Sequence, residues 1–198
     1  MRERFLAALA ATLLALGAPG PAEAQQKQPT RDFAVTYRVQ AQGDTAEMKV
    51  FFSAATQRQR VEMADAGMVL IQDIRANRML MLNSEARMAM EMPSPNVRQH
   101  MLAIPDDMTL TRTGTATVLG HRCTIYRGTQ GGADRGTVCL TDEGIMLRAN
   151  MRLQDKGGTM EATALSLGTQ PDALFTVPEG WQTMQMPTGQ PQQRRQQR

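Results

Sequence analysis

Methionine is the residue type whose number and spacing could support chemistry in this chain. The 198 residues include 16 methionines, against five Phe, two Tyr and one Trp. Several methionines recur at every second position, which in an extended strand places their side chains on one face. They are Met79 and Met81, then Met88, Met90 and Met92, then Met184 and Met186.

Three interpretations of these methionines remain open. Thioethers are soft ligands that suit Cu(I), so a Met-rich copper-binding protein is one hypothesis. Flexible, polarizable methionines also fill irregular cores, and they line surfaces that accept apolar ligands of variable shape. Core packing, an apolar groove and copper binding are all compatible with the spacing.

The two cysteines, Cys123 and Cys139, predict a structural disulfide. Gly131-Gly132 lies between them as a turn, and a pivot at Gly131 would place the two cysteines opposite each other on adjacent antiparallel strands. Directly opposed Cβ atoms are about 4.5–5.5 Å apart, close to the separation that a disulfide requires. Redox-active pairs favour Cys-x-x-Cys spacing, which this sequence lacks.

No other residues form a recognisable catalytic or metal-binding motif. The two histidines, His100 and His121, do not stand at a metal-binding spacing from a second ligand type. The sequence contains neither a nucleophile elbow nor a glycine-rich phosphate loop. We therefore predict a protein that is not an enzyme, with no catalytic residue, no metal site and no cofactor.

The first 24 residues predict a signal peptide. Arg2 and Arg4 precede an apolar stretch from Phe5 to Leu16, and Ala22-Glu23-Ala24 is typical of a cleavage site. We expect a periplasmic or secreted protein, in a compartment where a disulfide persists. Beyond the signal, no apolar run approaches the ~20 residues of a transmembrane helix.

The rest of the chain predicts one domain with polar ends. Residues 25–31 are a polar linker, residues 32–186 a β-rich domain, and residues 187–198 a disordered Gln/Arg-rich tail. The formal net charge is +3, and the three arginines of the tail account for all of it. Because the domain itself is nearly neutral and has no Lys/Arg cluster, we expect no nucleic-acid partner.

Residues alternate between apolar and polar over much of this domain, which predicts half-buried strands. Turn-prone pairs such as Gly43-Asp44 and Asn83-Ser84 separate the runs at short spacing, which favours antiparallel neighbours. The predicted strands are Phe33 to Ala41, Met48 to Phe52, Val61 to Met63, Met68 to Ile74, Arg78 to Leu82, Met88 to Met92, Cys123 to Gly128, Gly136 to Thr141 and Ile145 to Leu153.

Two segments have features of helices. Ser94 to Ile104 begins with Ser94 as N-cap and Pro95 in the first turn, and Pro105 would end it. A second short helix or turn is predicted at Pro171 to Leu174.

This order of elements resembles the LolA/LolB superfamily of periplasmic lipoprotein carriers, through a secreted bacterial family of unknown function. The resemblance rests on Val69 to Pro93, on Val118 to Tyr126 and on the Phe175 to Gly180 segment, and it covers most of residues 32–182. It implies an α+β, mainly antiparallel β fold. A curved sheet, or incomplete barrel, would pack on one or two short helices around an apolar cavity, which in the carriers receives acyl chains.

Together these inferences predict a periplasmic binding protein with an apolar groove for acyl chains, lipoproteins or another hydrophobic ligand. A Met-rich copper-binding protein and an envelope module that recognises a protein partner through an open sheet edge are the alternatives. The predicted lining residues are Val50, Phe52, Met79, Met81, Met88, Met90 and Met92.

Overall fold

One open, curved sheet accounts for most of the structure. The computed structural model describes residues 27–93, 102–153 and 156–185, and these residues form 12 strands. In chain order the strands are β1 (Phe33–Ala41), β2 (Asp44–Ser53), β3 (Arg58–Met63), β4 (Met68–Asp73), β5 (Arg78–Asn83), β6 (Met88–Pro93), β7 (Thr109–Val118), β8 (His121–Gln130), β9 (Ala133–Leu140), β10 (Met146–Leu153), β11 (Lys156–Leu167) and β12 (Gln182–Gln185).

The strands lie side by side in the order β12-β6-β5-β4-β3-β2-β1-β11-β10-β9-β8-β7. Neighbours pair antiparallel, except that β12 runs parallel to β6. The prediction of an open, curved and mainly antiparallel sheet is confirmed. The predicted strands are confirmed too, whereas β7, β11 and β12 were not predicted.

The turns explain why the pairing is local. Gly131 and Gly132, with φ of +57° and +79°, connect β8 to β9. Positive φ at both central residues gives a turn whose twist matches that of the strands it joins. Gln42-Gly43 and Leu119-Gly120 have the same two left-handed residues between β1 and β2 and between β7 and β8.

The disulfide between Cys123 and Cys139 is present, with Cα atoms 5.4 Å apart. The predicted register is wrong, however, because the turn has two central residues and a bulge follows at Gly128 and Thr129. Cys139 consequently pairs with Ile125, and Cys123 lies two residues before Ile125 on β8, farther from the turn. The cysteines are therefore diagonal neighbours, still within disulfide range.

The main core lies on one face of the sheet. Its buried side chains come from β1, β2, β3 and from the strands on the other side of β1, and they include both cysteines. Tyr37 is enclosed there, and its hydroxyl donates a hydrogen bond to the carbonyl oxygen of Met146 at 2.6 Å. Burial raises the pKa of the Tyr37 phenol well above its usual value of 10, so this donor stays protonated.

The residues predicted as a linker are held against the domain where the structure describes them. The Lys27 ammonium donates hydrogen bonds to the carbonyl oxygens of Asp106 and Met108 at 2.9 and 3.0 Å. The Thr30 N–H donates to the carbonyl oxygen of Glu143 at 3.0 Å. Residues 27–30 thus form part of the folded unit.

The segment after β11 crosses the opposite face of the sheet, and we call residues 168–185 the strap. A short 3-10 helix at Asp172–Phe175 lies one residue beyond the predicted helix or turn and buries Phe175. Phe175 packs with Val69, Ile71, Leu80 and other apolar residues of that face. The strap then ends as β12 beside β6.

The predicted helix from Ser94 to Ile104 falls mostly outside the described residues; of its last three, 102 and 103 form a turn and a bend and 104 is irregular. No helix within residues 27–93, 102–153 and 156–185 has the length and apolar character needed to span a membrane.

The disulfide should contribute stability without being required for folding. Cys123 and Cys139 are 16 residues apart, and closing a loop of that size stabilises a protein by ~3 kcal/mol. We expect the Cys123→Ala/Cys139→Ala variant to lose about this amount in urea unfolding followed by circular dichroism, and to keep its β-sheet spectrum. Reduced wild-type protein is the control: it loses the cross-link but keeps both sulfur atoms, so any further loss of stability in the double variant comes from the smaller side chains. If the variant and the reduced wild-type protein both unfold at the same urea concentration as the oxidised wild-type protein, this expectation is wrong.

Candidate functional site

Eight methionines lie on one face of β2 to β6, which we call the methionine face. Opposed residues of an antiparallel ladder point to the same side of the sheet. Met81 pairs with Met90, and Met79 pairs with Met92. All eight side chains are half-buried. They are Met48, Met63, Met68, Met79, Met81, Met88, Met90 and Met92.

The methionine face continues the face that carries the main core. One cross-strand line, the central row, follows the register from β1 to β12 and consists of Val35, Val50, Val61, Leu70, Met81, Met90 and Met184. Its exposure rises from 3%, 0% and 2% at the three valines to half-buried at Leu70, Met81 and Met90, and reaches 47% at Met184. Seven strands about 4.8 Å apart make this row roughly 29 Å long. An apolar surface thus runs from the sealed core to the sheet edge.

Val50 and Phe52 do not line an open surface in this structure. Both are fully buried, and the Phe52 ring packs on Phe33 with centroids 5.6 Å apart. Strand β2 lies near the middle of the sheet, where the core is deepest, so these residues form the closed end of the apolar surface. Alternation placed them on the correct face but could not show their depth.

Two buried amides interrupt the methionine face, and sequence reasoning did not identify them. Gln59 and Gln72 pair directly across β3 and β4. In the cross-strand line beside the central row, Phe52 of β2 pairs with Gln59, and Gln72 pairs with Met79 of β5. Both amides are buried, and Gln72 pairs directly with Met79, so they adjoin the thioethers of β5.

Three turns of one design hold β2 to β6 in register. Asp73 Oδ1 accepts the Ala76 N–H at 2.8 Å, and Asn83 Oδ1 accepts the Ala86 N–H at 2.8 Å. Ser53 Oγ makes the equivalent contact, at 3.4 Å, in the turn before β3. A left-handed residue closes each turn, at Gln57, Asn77 and Arg87.

The opposite face is closed by the strap and by ion pairs. Arg60 Nη1 donates to the carbonyl oxygen of Leu174 at 2.9 Å, which ties the strap to β3. Arg58 pairs with Asp73 at 2.9 Å, and Arg78 pairs with Glu91 at 2.8 Å. A cavity of about 360 Å³ remains between strap and sheet, and the Arg58, Asp73 and Arg78 side chains are among those that line it.

The charge of Asp73 is stabilised by its surroundings. Burial acts to raise the pKa of this carboxyl, but hydrogen bonds from the Ala76 N–H and from Arg58, together with the Arg58 charge, outweigh it. The pKa of Asp73 therefore lies below its usual value of 3.8.

The chemistry available at the methionine face is apolar contact and thioether ligation. Among the described residues, no three His, Cys, Asp or Glu side chains gather where they could hold a metal ion. Both cysteines are committed to the disulfide. His121 is half-buried at the start of β8, and His100 lies outside the described residues.

A family model described as "Domain of unknown function (DUF4412)" matches residues 34–166. No curated protein sequence matches the chain. An uncharacterized conserved protein from Thermus thermophilus has a similar structure, with a TM-score of 0.58 and 12% identity over 79% of this chain and 91% of that chain.

Two further solved structures are similar in part. A chain of the Pseudomonas aeruginosa MucA/MucB complex has a TM-score of 0.51 and 15% identity, over 74% of this chain and 56% of that one. The present chain therefore spans little more than half of that relative. A LolA superfamily protein from Nitrosomonas europaea has a TM-score of 0.38 and 11% identity, over 76% of this chain and 92% of that chain.

Replacing Asp73 by Asn tests how the turns stabilise this part of the sheet. Asn keeps an oxygen for the Ala76 N–H, as Asn83 does for Ala86, but removes the charge that faces Arg58. Because the folded pKa of Asp73 is lowered, its carboxylate stabilises the folded protein above pH 3.8, and that contribution is lost as pH falls through the folded pKa. We expect Asp73→Asn to cost ~0.5–1 kcal/mol at neutral pH. The two proteins should converge in urea titrations at the acid limit, and a difference independent of pH would refute this explanation.

Proposed function

We propose that this chain, which belongs to the family described as a domain of unknown function (DUF4412), is a non-enzymatic binding domain of the periplasm or cell exterior that holds acyl chains on its methionine face. The family match confirms the predicted membership of a family of unknown function. The observation that carries the proposal is the central row, an apolar surface that starts in the core and opens at the sheet edge.

The dimensions of the methionine face suit an extended hydrocarbon chain. Strands β4 to β6 span about 10 Å across, and Met88 to Met92 span about 13 Å along β6. Each methylene that such a surface buries contributes ~0.8 kcal/mol. A ligand with several methylenes in contact would therefore gain several kcal/mol from apolar burial alone.

Methionine is suited to a ligand that has no fixed shape. Its unbranched side chain has three rotatable bonds and a polarizable sulfur, so it adjusts to neighbours at little cost. Eight such side chains on adjacent strands form a surface that can repack around chains of different length or branching. This supports acyl chains as the ligand more than a rigid polar molecule.

The asymmetry of the two faces also favours the methionine face. Phe175, Leu174 and Val177 of the strap cover the apolar residues of the opposite face. Arginine–carboxylate pairs occupy much of the remaining surface there. Ligand binding on that face would have to displace the strap, whereas the thioethers of the methionine face are only half-buried.

The acyl chain can belong to a lipid or to a lipoprotein. In a lipoprotein, the polypeptide that bears the acyl chain would make further contacts with this domain. The similarity to a chain of the MucA/MucB complex supports a protein partner as a second candidate function. Strand β7 stands at one end of the described sheet, and most of its side chains are exposed. An added strand from a partner could pair there.

Binding of a fluorescent long-chain fatty acid to the mature full chain tests the proposal. We expect saturable binding that unlabelled palmitate competes away. Met81→Gln/Met90→Gln keeps the side-chain length but makes the centre of the face polar, and it should weaken binding by roughly 10- to 30-fold.

Met151→Gln is the matched control, because Met151 is an exposed methionine on β10, away from the methionine face. Its affinity should equal that of the wild-type protein. Absence of saturable binding, or equal affinities for the double variant and the control, would rule out acyl binding on this face. Binding to a protein partner that is lost on Arg112→Pro in β7, without fatty-acid binding, would support the second candidate instead.

A further inference from the structure

Three methionines that are distant in sequence lie side by side at the β12 edge of the sheet. Met81 of β5 pairs directly with Met90 of β6, and Met90 pairs directly with Met184 of β12. The spacing of methionines in the sequence showed only the pairs within each strand. The parallel pairing of β12 with β6 adds the third thioether, and we propose that Met81, Met90 and Met184 form a Cu(I) site.

The register allows the three sulfur atoms to converge. Adjacent strands are about 4.8 Å apart, and opposed Cβ atoms in an antiparallel ladder such as that of Met81 and Met90 are about 4.5–5.5 Å apart. Each methionine has three rotatable bonds beyond its Cα atom, so the two outer side chains can lean over Met90. Met79 and Met92 form a second opposed pair two residues along the same strands and offer further thioethers.

The ligand type selects a soft monovalent ion. Thioethers are uncharged and soft, which suits Cu(I), whereas Mg²⁺, Ca²⁺ and Mn²⁺ prefer carboxylate and carbonyl oxygen. The residues that flank Met184 on β12 are Thr183 and Gln185, which are neutral, and Glu91 of β6 points to the other face, where it pairs with Arg78. The described residues also lack a cluster of His, Cys, Asp or Glu that would compete for a divalent metal.

Exposure changes across the three ligands in a way that suits ion capture. Met184 is 47% exposed, whereas Met81 and Met90 are half-buried. An ion could therefore meet Met184 first and then be held by the two deeper thioethers. Thioethers do not ionise, so binding should not compete with protons, unlike binding to His, Cys or carboxylate ligands.

This site extends beyond the proposed acyl binding and can be separated from it. Met90→Leu removes a thioether but keeps a side chain of similar volume and apolar character. It should therefore weaken Cu(I) binding through the loss of the sulfur atom and not through a change in packing. Met151→Leu is the matched control, since it removes an exposed thioether outside the row.

The experiment is competition between the mature full chain and a chromogenic Cu(I) chelator, without oxygen and with ascorbate, which leaves the disulfide intact. We expect one Cu(I) per chain, an affinity that changes less than about twofold between about pH 5.5 and 8, and at least a tenfold loss in Met90→Leu and in Met184→Leu. Ag(I), a redox-inert analogue, should raise the melting temperature of wild-type protein and not of Met90→Leu.

No competition with the chelator, equal affinity in Met90→Leu and wild-type protein, or an affinity that falls steeply with acid would each overturn the proposal. Loss of copper binding in Met90→Leu and in Met184→Leu, with the affinity of Met151→Leu unchanged, supports it. Failure of fatty-acid binding in the wild-type protein would leave the copper result standing, because the two assays use different ligands and different variants.

Discussion

Cross-strand register is the constraint on which the rest of this structure depends. In an antiparallel ladder every second residue faces the same side, so a slip of one residue in any of these strands would move its methionines to the strap face. The capped turns after Ser53, Asp73 and Asn83 prevent such a slip, because each fixes the length and geometry of its connection. The methionine face is therefore a consequence of turn chemistry as much as of strand composition.

The same register divides the sheet into two faces, of which one is covered by the strap and the other is partly open to solvent. Leu80 and Leu82 alternate with Met79 and Met81 on β5, and the leucines are buried beneath Phe175 of the strap. The thioethers remain half-buried on the other side. Branched leucine has few rotamers and packs closely in the sealed face. Methionine is flexible and can adjust to a changing neighbour on the open face.

Sequence patterning predicted the strands that alternate clearly, such as Phe33–Ala41, and it placed the methionines on one face. It did not predict β11, because Ala162 and Gly158 make the inward face small and a bulge beside Thr36 and Tyr37 breaks the two-residue period. Strand β12 is four residues long and pairs with a strand about ninety residues earlier, so no local pattern indicates it. Burial depth, which separates Val50 and Phe52 from the methionines, depends on contacts between distant strands and is not encoded in alternation.

Toward the sheet edge the core face opens into a partly exposed thioether surface. Dilute peroxide treatment of the native protein, followed by peptide mass spectrometry, measures the accessibility of each methionine directly. We expect Met81 and Met90 to oxidise much faster than Met160, which is 3% exposed in the core, and the rates to become equal in denaturant. Protection of Met81 and Met90 equal to that of Met160 in the native protein would show that the face is sealed and that no apolar surface opens toward the sheet edge.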